Sequence, residues 1–287
     1  MKIAYLITAY SNYNHLKRLI NALQDNNVVF FIHIDKKSKM PNNLNEFDNV
    51  VFIKREKVWW GGWSHLDAII RLIKTAKNYG FDYYILLSGT DYPIRPNSFL
   101  YEKLSLGGEY IGIFEGFRDH KPESRIKYYY FDCFDRRNMR SIKTVFFLLL
   151  EWISKLFFFK KVYPFKQIYH GPTWWALSHD CVIYVLDQID IKNDYVKFYK
   201  TCWCPEESFF QTIIGNSQFF SKCKTTLTYV DWSSSPAPAL INQNHIELFK
   251  KQIEFYDSGY IYTPFFARKF DDSCAHIIEL IEKELRN

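Results

Sequence analysis

The chain has 287 residues, 48% hydrophobic and 19% aromatic, enough to bury the core of one large domain or two small ones. Its 37 basic and 31 acidic side chains leave a net charge of +6, which permits an anionic partner and identifies none. Six cysteines without a CxxC pair argue against a zinc ribbon and a disulfide scaffold.

The run from Lys2 to Thr8 predicts a strand and is too short for a secretory signal. With the cysteines read as reduced thiols, this predicts a cytoplasmic protein. Ser11 can cap a helix carrying Leu16, Leu19, Ile20 and Leu23 at helical spacing. Strands follow at Val28–Ile34, running into Asp35, and at Val50–Ile53. A helix over Ser64–Lys77 leads to a strand at Tyr83–Leu87, which runs into Ser88-Gly89-Thr90-Asp91. This alternation predicts an α/β fold with a mostly parallel central sheet and flanking helices. Ligands of such sheets bind beyond the carboxyl ends of the strands, which makes Asp35 and Asp91 candidates. Either one can also be a plain turn or capping residue.

A strand at Tyr110–Phe114 precedes Glu115, and Lys121, Arg125 and three tyrosines follow. This cluster reads as a polar substrate groove or as a solvated loop. Residues 145–159 are mostly apolar, with Glu151 and Lys155 inside. Arg136, Arg137, Arg140 and Lys143 precede them, and Lys160, Lys161 and Lys166 follow. Fifteen residues fall short of the roughly 20 that a membrane-spanning helix needs. Such a helix either makes peripheral contact with an anionic bilayer or packs on the protein's own core. Further on are a strand at Thr173–Leu177, a helix capped by Ser178, a strand at Leu227–Trp232 and a final helix over Ser273–Leu285. No repeat or linker divides the chain, so a single domain over 1–287 is expected.

Glu206 and Glu207 stand among Cys202, Trp203, Cys204, Phe209 and Phe210. Burying an unpaired carboxylate costs on the order of several kcal/mol, so acids in apolar company need partners or a function. One reading is a general base. The other is a helix start, with Pro205 in the first turn and the acids facing the positive end of the helix dipole.

Several chemistries find no motif. The chain lacks GxxxxGK[ST], GxGxxG after the first strand, HExxH and GxSxG. It also lacks an Asp-x-Asp after a strand, which would hold a metal with a diphosphate. Arg268-Lys269, between Phe265-Phe266 and Phe270, is the best candidate for neutralising a bound diphosphate.

Seven stretches then fall in order along nearly the whole chain. They are His33-Ile34-Asp35-Lys36-Lys37-Ser38, Trp60-Gly61-Gly62-Trp63-Ser64, Leu87-Ser88-Gly89-Thr90-Asp91-Tyr92-Pro93 and Trp174-Trp175-Ala176-Leu177. After these come Pro205-Glu206-Glu207-Ser208-Phe209-Phe210, Val230-Asp231-Trp232 and Phe265-Phe266-Ala267-Arg268-Lys269-Phe270. Each is weak alone, but together they resemble the core-2/I-branching glycosyltransferases, a family that includes the peptide O-xylosyltransferases.

The resemblance implies a GT-A-like fold, a UDP-sugar donor, inversion at the anomeric carbon and no cofactor or divalent metal. It makes Glu207 the catalytic base. It places Asp35, Trp60, Gly61, Asp91, Arg268 and Lys269 on the donor side. Glu115, Lys121, Arg125, Trp174, Asp231 and Trp232 fall on the acceptor side. Unlike the Golgi members, the chain is expected to lack a membrane anchor, a stem and dense disulfides. The expectation is therefore a bacterial-type enzyme on the inner membrane face, acting on a saccharide or lipid-linked saccharide in surface-polysaccharide synthesis. A non-catalytic saccharide-binding protein of the same fold is the alternative. Nucleic acid is not expected as a partner, because the basic residues form no single stripe in the sequence.

Overall fold

The structure is a computed structural model and describes residues 1–157, 161–257 and 260–287. Its strands are β1 (Ile3–Ala9), β2 (Val28–Ile34), β3 (Val50–Phe52), β4 (Tyr83–Ser88), β5 (Asp91–Pro93), β6 (Glu109–Ile111), β7 (Phe114–Glu115), β8 (Tyr169–His170), β9 (Trp175–Ser178), β10 (Cys223–Lys224), β11 (Thr228–Val230), β12 (Phe255–Asp257), β13 (Tyr260–Tyr262) and β14 (Phe266–Arg268). The α-helices are α1 (Tyr13–Ala22), α2 (Trp63–Ala76), α3 (Asn97–Ser105), α4 (Ser124–Lys127), α5 (Ile142–Leu156), α6 (His179–Ile191), α7 (Asn193–Tyr199), α8 (Phe209–Gly215), α9 (Gln243–Lys251) and α10 (Ala275–Glu284).

Successive side chains of a strand point to opposite faces, and β1 is apolar on both. Ile3, Tyr5 and Ile7 pack with Leu16, Leu19 and Ile20 of α1 and Ile278 and Ile281 of α10. Ala4 and Leu6 pack on the other side with Leu66, Ile69 and Ile73 of α2, Val182 of α6 and Phe209 and Phe210 of α8. A strand buried on both faces carries such a near-continuous hydrophobic run. The result is the expected α/β arrangement, a mostly parallel central sheet between layers of helices.

The sheet order is β10-β6-β9-β4-β1-β2-β3. β1 pairs in parallel with β2 and β4, β2 with β3, and β6 with β10. β9 runs antiparallel between β4 and β6. Its start therefore lies at the same edge as the carboxyl ends of β1, β2, β4 and β6. A smaller sheet, β11-β14-β5, adjoins that edge, because β5 follows β4 after a two-residue turn.

Several local expectations are corrected. The N-cap of α1 is Asn12, in a left-handed conformation (φ 57°) and without a side-chain cap, so Ser11 does not cap it. The expected strand at Tyr110–Phe114 is broken into β6 and β7, which pair with different partners. The expected strand at Thr173 starts at Trp175 as β9. Ser178 does cap α6, accepting from the Cys181 amide at 3.3 Å. Of the apolar stretch 145–159, Phe158 and Phe159 lie outside the described residues.

Candidate active site

Pro205, Glu206 and Glu207 form a 3-10 turn that leads into α8. Ser208, between turn and helix, is buried. Its Oγ donates to the Tyr169 carbonyl at 2.8 Å and lies 2.9 Å from Tyr199 Oη. The Glu207 carbonyl accepts from the Gly171 amide at 2.9 Å, and its amide donates to the Cys204 carbonyl at 3.2 Å. The turn is thus tied to β8 and to the chain leading into β9. A group carried on such a braced element keeps its geometry.

The Glu207 side chain is 23% exposed. Its Oε2 lies 2.5 Å from both Lys121 Nζ and Arg125 Nη1. Its Oε1 has no partner among the described residues. Two cations engage one oxygen and leave the other facing away from them, the geometry a proton-accepting oxygen would need. Arg125 is steadied by the His120 carbonyl, 2.7 Å from Nη2. Lys121 and Arg125, expected on the acceptor side, are therefore direct partners of Glu207. Glu115 is exposed on β7 opposite Tyr169 and has no ion pair with either among the described residues.

Glu206 is buried, with Oε1 3.3 Å from His65 Nδ1 and Oε2 unpartnered. It fastens the turn to α2. The loop before α2 approaches from the same side. The Gly61 carbonyl accepts from the Cys204 amide at 2.7 Å. Trp60 is exposed and packs edge-on against Trp203, with ring centroids 4.9 Å apart. Trp203 in turn donates its amide to the Arg125 carbonyl at 2.7 Å. This places Trp60 and Gly61 beside the Glu207 turn.

Gly61 has φ +69°, and a Cβ there would lie 2.5 Å from the Trp203 ring. Both facts require glycine. Gly61→Ala is expected to lower stability on the order of 2 kcal/mol, from backbone strain and overpacking. Urea unfolding that matches the wild type would contradict this close approach.

The second group gathers around Arg268. Its guanidinium stacks 4.3 Å over the Trp174 ring, and its Nε lies 3.6 Å from Asp91 Oδ1. Asp91 is fully buried and offers no surface to a ligand. It accepts from the Ser88 amide at 2.7 Å and the Ser88 hydroxyl at 3.0 Å, closing the turn after β4. Burial raises the Asp91 carboxyl above its usual range, with Arg268 opposing. Burial also lowers the Arg268 guanidinium, with Asp91 opposing. Lys269, half-buried, has no side-chain ion pair among the described residues. The Asp231 loop covers its backbone: the Lys269 amide donates to the Ala239 carbonyl at 3.2 Å, and the Lys269 carbonyl accepts from the Ile241 amide at 2.9 Å. Asp231 is tied to His245 Nε2 at 2.9 Å and to the Ser233 amide at 2.8 Å, while Trp232 is exposed.

The segment Gly171–Trp174 joins the two groups. Gly171 bonds the Glu207 backbone and Trp174 carries Arg268 on its ring. Three residues apart, their Cα atoms are at most about 11 Å from each other. Asp35 lies farther along the edge, after β2. Its Oδ1 accepts from the amides of Lys37 at 2.9 Å and Val58 at 3.3 Å, and Lys37 Nζ is 3.4 Å from Oδ2.

Buried polar atoms normally have partners. Eight buried side-chain atoms among the described residues have none, and five belong to this region: His170 Nε2, Trp175 Nε1, Glu206 Oε2, Gln211 Oε1 and Arg268 Nε. Burial holds His170 down at about 4, so its ring is neutral at neutral pH. Sequence reasoning did not single out His65, His170 or Gln211. Isolated polar residues in apolar elements carry no local signal of what they face.

The carboxyl edge of this α/β sheet thus carries a carboxylate held by two cations and an arginine stacked on Trp174. A model of the Core-2/I-Branching enzyme family matches residues 3–254, and the chain belongs to this family. Xylosyltransferase 2 of Rattus norvegicus is 26% identical over 316 residues, covering 99% of this chain and 34% of that protein. The N-acetyllactosaminide beta-1,6-N-acetylglucosaminyl-transferase of Homo sapiens is 27% identical over 223 residues, covering 74% and 52%. The chain thus spans about a third of the length of the xylosyltransferase it matches. The crystal structure of mouse xyloside xylosyltransferase 1, apo form, aligns over 92% of this chain and 97% of its own. Its TM-score is 0.35 and its identity 10%, too slight a likeness to bear on the argument.

Proposed function

We propose that the chain is one glycosyltransferase catalytic domain over 1–287 that moves xylose or N-acetylglucosamine from a UDP-sugar to a saccharide hydroxyl, with inversion and without a divalent metal. The observation that carries this reading is Glu207, with one oxygen held by Lys121 and Arg125 and the other without a partner among the described residues. The names of the relatives, xylosyltransferases and a beta-1,6-N-acetylglucosaminyl-transferase, supply the two candidate sugars.

In the proposed step an acceptor hydroxyl oxygen attacks the anomeric carbon and passes its proton to Glu207 Oε1. The bond from that carbon to the diphosphate oxygen breaks, and UDP leaves with the electron pair. Arg268 and Lys269 offset the charge that develops on the leaving group. Asp91 sits behind Arg268 and acts on the donor through that side chain, while Trp174, the acceptor-side candidate, stacks on the same guanidinium. Asp35 is the candidate for the uridine side, while Asp231 and Trp232 are candidates for the acceptor pocket. The bacterial-type setting, a lipid-linked acceptor and a place in surface-polysaccharide synthesis complete the proposal.

A panel of UDP-sugars in EDTA tests it. UDP release is expected from UDP-xylose or UDP-N-acetylglucosamine with the chelator present. A strict manganese requirement contradicts the metal-independent step. Sugar binding with no release from any donor points instead to a saccharide-binding protein.

A further inference from the structure

Helix α5 buries its polar side. Helical spacing sets Ile142, Val145, Phe146, Leu149, Trp152 and Leu156 on one stripe, and each is at least 50% exposed. The residues it buries are Thr144 and Glu151. Thr144 Oγ1 donates to the Asp135 carbonyl at 3.0 Å. Glu151 accepts from the Phe131 amide at 2.8 Å and from Arg136 Nη1 at 2.7 Å. These satisfied polar contacts fix the rotation of the helix and keep its apolar stripe outward.

The charge of the chain concentrates at the same place. Among the described residues of 131–166 there are seven basic and three acidic side chains, so four net positive charges lie here. The acids are engaged: Asp132 accepts from the Ser64 amide at 2.5 Å, Asp135 pairs with Arg137 at 3.6 Å, and Glu151 pairs with Arg136. Arg137, Arg140 and Lys143 are exposed near the start of the stripe. A second copy of the chain would bring the same positive charge and be repelled. An anionic bilayer offers an apolar interior and a negative surface together. At about 1.5 Å per residue the 15-residue helix is about 22 Å long, shorter than the roughly 30 Å hydrocarbon core, so it suits the plane of the interface.

We infer that α5 lies in the surface of an anionic phospholipid bilayer, with its stripe among the acyl chains and its basic rim on the headgroups. This rests on α5 and its surroundings, not on the sugar-transfer reading. It also bears on that reading. Arg136, which anchors Glu151, stacks 4.5 Å over the Trp203 ring, four residues before Glu207. A lipid-borne acceptor would therefore arrive on the side of the proposed base.

Flotation of the full chain with phosphatidylcholine vesicles, with and without phosphatidylglycerol, tests the inference. Binding is expected on the phosphatidylglycerol vesicles and should weaken as salt rises. The double variant Phe146→Ser/Leu149→Ser, at exposed positions, should bind roughly tenfold more weakly or worse, with an unchanged unfolding midpoint. Arg140→Glu/Lys143→Glu should remove the preference for phosphatidylglycerol. A chain that stays in the aqueous fraction with every vesicle overturns the inference, and so does undiminished binding by the serine variant. A concentration-dependent dimer dispersed by the same serine substitutions also overturns it, by giving the face to a second copy.

Discussion

Glu207→Gln is expected to lower kcat by roughly 10²–10⁴-fold, the usual contribution of a positioned general base. The substitution keeps the shape of the side chain, so the turn before α8 should stay in place through its backbone bonds to Gly171 and Cys204. What is lost is the capacity to take a proton. Lys121 and Arg125 also lose the charge they face. UDP affinity, measured by calorimetry, should be retained, because two freed cations do nothing to repel a diphosphate. Turnover close to wild type in this variant would remove Glu207 from the step. A parallel loss of UDP binding would point to a structural role.

The other large effect is expected at Arg268. Asp91 is fully buried, and Arg268 is its opposing charge at 3.6 Å. Removing one member of a buried pair typically costs about 3–5 kcal/mol, because the other is left uncompensated. Arg268→Met keeps much of the volume over Trp174 and removes the charge, so a loss of about 3 kcal/mol is expected at neutral pH, with roughly ten- to hundredfold weaker UDP binding.

The pH dependence has a definite sign. Burial already raises the Asp91 carboxyl, and without Arg268 it rises further. An acid whose folded-state value is raised contributes its stability below its unfolded value and loses it as pH climbs through the raised one. The deficit of Arg268→Met relative to wild type should therefore shrink as pH falls toward the ordinary carboxylate range. Urea unfolding across that range checks this, and a deficit that grows on acidification contradicts the pairing.

The strands of the central sheet were legible because their residues carry the pattern locally. β1, β2 and β4 are largely apolar runs, and β2 and β4 are followed by Asp35 and Asp91, which the strand-end rule singles out. Glu207 was legible for a similar reason, since a carboxylate beside Trp203, Phe209 and Phe210 is anomalous within a few residues of sequence. Its partners were not. Lys121 and Arg125 lie more than 80 positions earlier, and only the pairing of β7 with β8 and the packing of α8 bring them to its oxygen. Asp91 and Arg268 meet because β5 and β14 pair with these two residues in register, a contact between distant strands. The apolar stretch 145–159 left bilayer and core open. Periodicity gives a stripe but not its direction, which the buried Glu151–Arg136 pair sets outward.

The proposed reaction is a single displacement at the anomeric carbon with Glu207 as base. Its most direct test is the anomeric configuration of the first product. Proton NMR can follow the slow transfer of the sugar from its α-linked UDP donor to water, before mutarotation mixes the anomers. The β anomer is expected as the initial product, in a reaction that Glu207→Gln slows in proportion to its kcat. An initial α product would require retention and contradict a single displacement assisted by one base.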